Sequence, residues 1–311
     1  MAQSEMRAEA SGWRSTLGVW IQTARPFSLS AAISPILVGT AVAAYDGRFD
    51  ALLFAAALIG SVFLQVAANY FNEYFDYRYQ LDTAQSLGAS TAIFRGAMTA
   101  RQVFAAGALS VAIAAAFGLY LVARVGPPVL LFGVAAVTIL YFYSAWPLSL
   151  AQRGLGDLFV FLAMGLLMVW GAYYVQIPRW SWPAFAASVP VGLLVVAILD
   201  MNNLRDYADD LAVRKRTLVV RFGERFGRRY EAALIIGAFV AAVIAVAARL
   251  LPVTAVIVGI TLPRALDLVR TVLTTTSRRD FIVGMRRIAL LHLTFGAALA
   301  AGIALATLAR P

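Results

Sequence analysis

The chain has 311 residues, of which 61% are hydrophobic and 14% are charged, and its formal net charge is +10. An ordinary water-soluble domain has about a quarter of its residues charged, so this composition excludes one and predicts a membrane protein. The chain has no cysteine, which excludes a disulfide framework and a thiolate metal site. Positive charge is typical of nucleic-acid-binding proteins, but here the basic residues lie between long apolar runs. We therefore expect them to contact lipid headgroups, with no nucleic-acid partner.

Apolar runs of about 20 residues, the length of a helix that crosses the hydrocarbon core, recur from residue 27 onward. The polar residues 1-12 precede them, and we expect a mobile tail there rather than a signal peptide, followed by a single transmembrane domain over 13-311. The runs do not alternate apolar and polar residues as barrel strands do. They predict an all-α polytopic membrane protein of nine transmembrane helices. These are expected at residues 27-45, 51-71, 102-123, 128-146, 155-176, 183-203, 230-248, 250-269 and 288-308.

The basic residues predict the orientation of these helices, because cytoplasmic loops hold most of the Lys and Arg residues of a membrane protein. With the N-terminus in the cytoplasm, 21 of the 26 Lys and Arg residues fall on the cytoplasmic side. An odd number of helices then leaves the C-terminus outside. Two long polar loops, near 72-101 and 203-229, share the cytoplasmic face, and we expect the functional residues there.

The first of these loops begins with a polar motif, in the segment NYFNEYFDYRYQLDTAQ. Asn72 and Asp76 are one helical turn apart, so both side chains project from one face if the helix continues past the apolar run. Asp82 follows in the same segment, and Glu73 is adjacent to Asn72. We call these four residues the first motif.

The second loop begins with a matching motif, in the segment DMNNLRDYADDLAVRKRT. Asn202, Asp206 and Asp210 are spaced at i, i+4 and i+8, with Asp209 adjacent to Asp210. We call these four residues the second motif. Each motif ends an even-numbered predicted helix, so both are expected at the same membrane face.

The two motifs together indicate a divalent metal site. Carboxylates one helical turn apart repel each other unless a cation lies between them. Oxygen ligands without His or Cys favour Mg²⁺, which also binds phosphate oxygens. Two such motifs across a cavity could hold a diphosphate, with further charge neutralised by Arg78, Arg95, Lys215 and Arg216. For either motif alone, solvated loop carboxylates are an equally good interpretation.

At these residues the chain resembles the UbiA superfamily of intramembrane aromatic prenyltransferases. The resemblance covers nearly the whole chain, in TARPFSLSAAISPILVGTAVA, NEYFDYRYQLDT, YSAWPLSLAQRGLGDLFVF and NNLRDYADDLAVRKRTLVVRFG. Within the superfamily, the D-x5-D spacing and the NNLRD…KRTL run are most similar to 1,4-dihydroxy-2-naphthoate prenyltransferases of menaquinone synthesis. Three residues depart from the usual pattern: Glu73 replaces a common Asp, Asp157 a common Glu, and Arg214 a common Gly.

The resemblance implies a bundle of nine helices around a central cavity that opens to the cytoplasm, in a bacterial inner membrane. It also implies Mg²⁺-dependent transfer of a polyprenyl group from a polyprenyl diphosphate to a small aromatic acceptor. Loss of CO₂ would follow if the acceptor is 1,4-dihydroxy-2-naphthoate.

The same resemblance implies roles for individual residues. The residues that would hold Mg²⁺ and diphosphate are Asn72, Asp76, Asp82, Asn202, Asp206 and Asp210, with Glu73 and Asp209 as further metal candidates. Lys215, the only lysine in the chain, matches a diphosphate-contacting Lys of the family, and Arg78 and Arg25 are helpers.

Further candidates near the expected cavity mouth have ordinary explanations as well. Tyr143, like Tyr70, Tyr74 and Trp146, could stabilise an allylic cation through its ring, but Tyr and Trp also gather at membrane interfaces. Arg153 is a candidate contact for an acceptor carboxylate, and topology explains it equally well.

Other functions would account for part of this sequence pattern. A prenyltransferase for 4-hydroxybenzoate or for a chlorophyll or haem precursor would use the same metal chemistry. A secondary transporter for an anionic solute would place its charges near the membrane midplane instead. A noncatalytic scaffold leaves the paired motifs unexplained. No sequence pattern indicates an oligomeric state.

Overall fold

The computed structural model describes residues 17–81, 92–275 and 277–308, and every regular element in them is helical. The tail expected at 1-12 and the candidate Asp82 lie outside the described residues. The helices are α1 (Ser30–Tyr45), α2 (Ala51–Arg78), α3 (Ala100–Val125), α4 (Pro128–Ser144), α5 (Gly156–Gln176), α6 (Trp182–Ala212), α7 (Leu218–Phe222), α8 (Glu224–Ala247), α9 (Leu262–Thr274) and α10 (Arg278–Leu305). A 3₁₀ turn, Pro26–Leu29, precedes α1, a second 3₁₀ segment, Val253–Thr261, leads into α9, and α5 contains a π-helical stretch, Phe161–Leu167.

Within the described ranges, seven helices are long and apolar enough to cross a membrane. They are α2, α3, α5, α6, α8, α10 and the segment Leu17–Tyr45 that contains α1. Helix α4 is also apolar but has only 17 residues. The all-α membrane fold expected from the sequence is thus confirmed.

Both helices that carry the motifs are longer than their apolar runs. Helix α2 was expected to end at 71 and continues to Arg78, and α6 was expected to end at 203 and continues to Ala212. The prediction that both polar segments begin as loops is corrected here. Asn72 and Asp76 therefore lie one turn apart on one face of α2, and Asn202, Asp206 and Asp210 lie on one face of α6.

Helix α6 forms the centre of the bundle and packs against α1, α5, α8 and α10. Small residues permit the close approach. A Cβ atom on Gly165 of α5 would lie 2.6 Å from the Cα atom of Gly192 in α6, so neither glycine can be enlarged without moving a helix. Leu194 and Met201 of α6 lie in one buried cluster with Ile288 of α10.

The C-terminal ends of α2 and α6 meet at the same end of the bundle, which we call the motif end. Two connections close it: the segment 145–155 between α4 and α5, and the segment 213–217 after α6. The backbone amide of Arg216 donates to the carbonyl oxygen of Gln152 at 2.9 Å, which joins the two connections.

Candidate functional site

A polar cavity of about 70 Å³ lies at the motif end. Its lining comes from both motif helices, from Arg25 just before the first 3₁₀ turn, from the end of α4 and the start of α5, and from the two connecting segments. The lining residues are Arg25, Asn72, Asp76, Tyr143, Ser144, Ala151, Gln152, Gly156, Asp157, Leu199, Asn202, Asn203, Arg205, Asp206, Asp210, Lys215 and Thr217. Residues that are about 130 positions apart in the chain therefore face one space.

The first motif contributes Asn72 and Asp76, one turn apart on α2. The hydroxyl of Ser144, the last residue of α4, donates to Asn72 Oδ1 at 3.2 Å. This bond fixes the amide so that its orientation is set by α4 as well as by α2. Asp76 lines the cavity one turn closer to the end of α2.

The second motif contributes Asn202, Asp206 and Asp210, and two of its carboxylates face basic side chains. Lys215 Nζ donates to Asp210 Oδ1 at 3.2 Å, and Asp210 is buried. The guanidinium of the buried Arg205 forms two hydrogen bonds to Asp206, one of them from Nε to Oδ1 at 2.7 Å. Such two-point pairing is geometrically specific and stronger than a neutral hydrogen bond.

Lys215 lies in the segment after α6, beside three carboxylates. Burial lowers its pKa, but the charges of Asp210, Asp76 and Asp206 and the hydrogen bond to Asp210 raise it by more. The pKa of Lys215 therefore lies above its usual value, and the side chain is cationic at neutral pH. Carboxylates from both motifs thus act on one ammonium group.

Arg25 brings a second cation to the cavity. Its backbone has φ 52° and ψ 66°, a left-handed conformation uncommon for a residue with a side chain. Its Nε is buried and has no hydrogen-bond partner among the described residues. A buried donor without a partner favours an anionic ligand here.

The donor set of the cavity fits a hard divalent cation. Carboxylate and amide oxygens from both motifs are present, and the lining includes no histidine. In the described part of the chain, no three His, Asp or Glu side chains already form a metal-binding group. This agrees with Asp206 and Asp210 being engaged by Arg205 and Lys215, so a metal would have to compete with these two cations.

The structure does not bring two of the candidate carboxylates to the cavity. Glu73 is buried and its Oε1 accepts from the backbone amide of Ile93 at 3.2 Å. Asp209 forms an ion pair with Arg278 at the start of α10. Each is adjacent in sequence to a cavity residue, and a one-residue step turns a helix by about 100°.

Four candidate arginines also lie outside the cavity lining and are exposed. Arg78 donates to the Tyr74 hydroxyl at 3.0 Å, and Arg153 donates to the carbonyl oxygen of Pro147. Arg95 and Arg216 complete this group. Of the basic candidates, the cavity therefore includes Arg25 and Lys215.

Sequence reasoning missed several cavity residues. Asn203 and Arg205 lie within the second motif segment, so the NNLRD run itself was the signal. Gln152, Asp157 and Thr217 join the cavity through tertiary packing, and no local spacing points to them.

The chain is similar to a known protein family over most of its length. The family model for the UbiA prenyltransferase family matches residues 32–287. A 1,4-dihydroxy-2-naphthoate octaprenyltransferase of Bacillus subtilis is 30% identical over 91% of each chain. A protein of the same name from Escherichia coli is 35% identical over 71% of this chain and 74% of its own length.

Solved structures share the fold. The structure of a UbiA homolog from Archaeoglobus fulgidus bound to DMAPP and Mg²⁺ has a TM-score of 0.60 and 15% sequence identity, and the match covers 91% of this chain and 99% of that one. The family model covers most of the chain, and the apolar helices place it in a membrane. The chain therefore belongs to the UbiA prenyltransferase family and is an integral membrane transferase.

Proposed function

We propose that this protein transfers a polyprenyl group from an allylic polyprenyl diphosphate to 1,4-dihydroxy-2-naphthoate, with loss of CO₂, in menaquinone synthesis. The observation that carries the proposal is the convergence of Asn72 and Asp76 with Asn202, Asp206 and Asp210 in one cavity. The acceptor is suggested by the names of the relatives in Bacillus subtilis and Escherichia coli.

The arrangement in the membrane is part of the proposal. We assign helix α4 and the segment 253–274 to the fourth and eighth expected spans, which with the seven long helices would make nine. The excess of Lys and Arg near the motif end supports an N-terminus in the cytoplasm, a C-terminus outside and a cavity that opens to the cytoplasm of a bacterial inner membrane.

Mg²⁺ would be held by the carboxylates of Asp76, Asp206 and Asp210, with Asp82 as a further ligand from the first motif. When bound, it would supply positive charge that stabilises the diphosphate leaving group. Asn72 and Asn202 would orient the same group. Mg²⁺ would compete with Arg205 for Asp206 and with Lys215 for Asp210.

Lys215 and Arg25 would then bind the diphosphate oxygens. As the bond from the allylic carbon to the diphosphate oxygen breaks, its electron pair stays on the diphosphate, and these cations stabilise the growing negative charge. The allylic cation is exposed to the ring of Tyr143, which lines the same cavity. Surrounding helices exclude water, which would otherwise capture the cation.

The acceptor ring completes the reaction. Its carboxyl-bearing carbon forms the new bond to the allylic carbon, and the bond to the carboxylate breaks with loss of CO₂. The electron pair of that bond restores the aromatic ring. Atoms and charge balance without a separate base, because the carboxylate leaves in place of a ring proton.

The test uses purified full-length protein in lipid nanodiscs with Mg²⁺ and a radiolabelled polyprenyl diphosphate. Acceptors are 1,4-dihydroxy-2-naphthoate, 4-hydroxybenzoate and a tetrapyrrole. We expect a prenylated naphthol and release of CO₂ with the first. If product forms only with another acceptor, that compound replaces 1,4-dihydroxy-2-naphthoate as the proposed substrate. If no acceptor gives product, the proposed function is overturned.

A further inference from the structure

Asp157 is a cavity residue that the metal and diphosphate roles do not use. It lies in the first turn of α5 and is 7% exposed, and it lines the cavity. Its Oδ1 is buried and has no hydrogen-bond partner among the described residues. A buried carboxylate oxygen without a donor, on a residue that lines a cavity, can accept a hydrogen bond from a ligand there.

Polar side chains from two other helices lie close to Asp157. The side chain of Tyr230 in α8 lies within hydrogen-bonding reach of the Asp157 carboxyl group. Asp200 of α6 and Glu231 of α8 lie nearby; both are fully buried, and neither carboxyl group has a hydrogen-bond partner among the described residues. Side chains of α5, α6 and α8 therefore meet at this point.

The depth of Asp157 separates it from the candidate metal ligands. A Cβ atom on the adjacent Gly156 would lie 3.4 Å from Leu199 of α6, so Asp157 lies near the level of Leu199. Asp206 is seven residues further along α6, which corresponds to about 10 Å along the helix axis at 1.5 Å per residue. Asp157 therefore lies deeper in the bundle than the diphosphate end of the cavity.

Charge and position together define what Asp157 can bind. A carboxylate repels a diphosphate and an acceptor carboxylate, but it accepts a hydrogen bond from a hydroxyl. The hydroxyl of Tyr143 lies 3.4 Å from the Cβ position of Gly156, so an aromatic ring bounds this part of the cavity. Tyr143 and Asp157 line the same cavity, so a ligand with an aromatic ring could contact Tyr143 and donate a hydroxyl to Asp157.

We propose that Asp157 accepts a hydrogen bond from a phenolic hydroxyl of the aromatic acceptor and so orients its ring toward the allylic carbon, with Tyr230 as a positioning residue. This inference rests on the proposed function and names the residue that recognises the acceptor. It distinguishes Asp157 from a metal ligand and from a purely structural carboxylate.

The test compares the wild type with Asp157→Asn, Asp157→Ala and Tyr230→Phe in nanodiscs, with Asp267→Asn as control. Asp267 is exposed and pairs with Arg287, outside the cavity. The KM of each substrate and the Mg²⁺ concentration for half-maximal rate are measured. For Asp157→Ala we expect the acceptor KM to rise on the order of tenfold, with the donor KM and the Mg²⁺ dependence unchanged. Tyr230→Phe should raise the acceptor KM by a smaller factor.

A second measurement isolates the hydrogen bond itself. The ratio of kcat/KM for 1,4-dihydroxy-2-naphthoate to that for analogues lacking one hydroxyl is determined for the wild type and for Asp157→Ala. Removing a hydroxyl also changes the intrinsic reactivity of the acceptor ring, but this change is the same for both proteins. It therefore cancels when the two kcat/KM ratios are compared. We expect the ratio for one analogue to fall by about tenfold in the variant.

The outcomes separate this inference from the proposed function. If the wild type forms no prenylated product, both fail. If the wild type is active and Asp157→Ala changes the donor KM or the Mg²⁺ dependence, or leaves both analogue ratios unchanged, the inference alone is overturned. An unchanged donor KM in the variant also shows that the variant is folded.

Discussion

The two motifs share one sequence pattern but are held in different ways. In the second motif each carboxylate faces a basic side chain: Asp206 faces Arg205, Asp209 faces Arg278, and Asp210 faces Lys215. In the first motif, Asn72 accepts from the Ser144 hydroxyl and Glu73 accepts from a backbone amide. The carboxylates of the second motif are thus ordered by ion pairs, whereas Asn72 and Glu73 of the first motif accept from neutral donors.

The largest effect on activity is expected when one carboxylate is removed from either motif. Asp76→Ala and Asp206→Ala should each lower kcat/KM by about a thousandfold or more, because each removes charge from the centre that stabilises the leaving diphosphate. Radiolabelled product formation in nanodiscs measures the loss. Asp267→Ala is the control, and activity of either cavity variant near the control level would contradict a shared site.

Stability should also differ between the two motifs. Asp206→Ala removes the two-point partner of the buried Arg205, and loss of one member of such a pair destabilises by roughly 3 kcal/mol. Asn72→Ala removes a hydrogen bond from the neutral hydroxyl of Ser144, which contributes about 1 kcal/mol. Thermal unfolding of both variants in the same detergent measures the difference, and equal stabilities would contradict the view that charge orders the second motif.

Substitutions of Lys215 test whether the positive charge beside the second motif contributes to activity. Lys215→Gln should raise the donor KM and lower kcat, on the order of a hundredfold in kcat/KM, because it removes a charge that faces the diphosphate. Lys215→Arg keeps the charge and should recover part of the loss. Equal defects in the two variants would mean that shape, rather than charge, is what the cavity needs at this position.

Asp209 and Arg278 are expected to have a small, structural effect. Arg278 Nε donates to the backbone carbonyl of Arg205 at 2.7 Å and its guanidinium pairs with Asp209, so the pair ties α10 to the second motif. Both side chains are about one third exposed, so we expect Asp209→Asn to change stability by less than about 1 kcal/mol and activity by only a few-fold. A double variant with Arg278→Gln should lose less than the sum of the two single variants. A changed Mg²⁺ dependence in Asp209→Asn would instead make Asp209 a metal ligand.

Glu73 is expected to give the smallest effect. Glu73→Gln keeps an oxygen that can accept from Ile93, so activity and Mg²⁺ dependence should stay within about threefold of the wild type. Asp76→Asn is the matched comparison one turn away, and it should lose far more. Similar losses in the two variants would contradict the positions that the structure gives them.

Much of the fold and part of the site could be predicted from the sequence. Apolar length was sufficient for the membrane helices, because a helix must satisfy its own backbone groups in lipid. The spacing of Asn72 and Asp76, and of Asn202, Asp206 and Asp210, was sufficient to put each set on one helix face.

Some candidate residues do not lie where the sequence predicted, and the cause is physical. Glu73 and Asp209 are one step from a cavity residue and Arg78 is two steps from Asp76, and such steps turn the side chain to another face of the helix. Asp157 and Gln152 could not be predicted, because their place in the cavity depends on how α5 packs against α6. No local pattern encodes that contact.

The most direct test of the central claim measures binding of a non-reactive polyprenyl diphosphate analogue with and without Mg²⁺, by calorimetry, to the wild type, Asp76→Asn, Asp206→Asn and the double variant. If the two motifs form one site, each single variant should lose most of the Mg²⁺-dependent affinity, and the double variant should lose little more. Losses that multiply in the double variant, or single variants that bind as the wild type does, would contradict a single site built from both motifs.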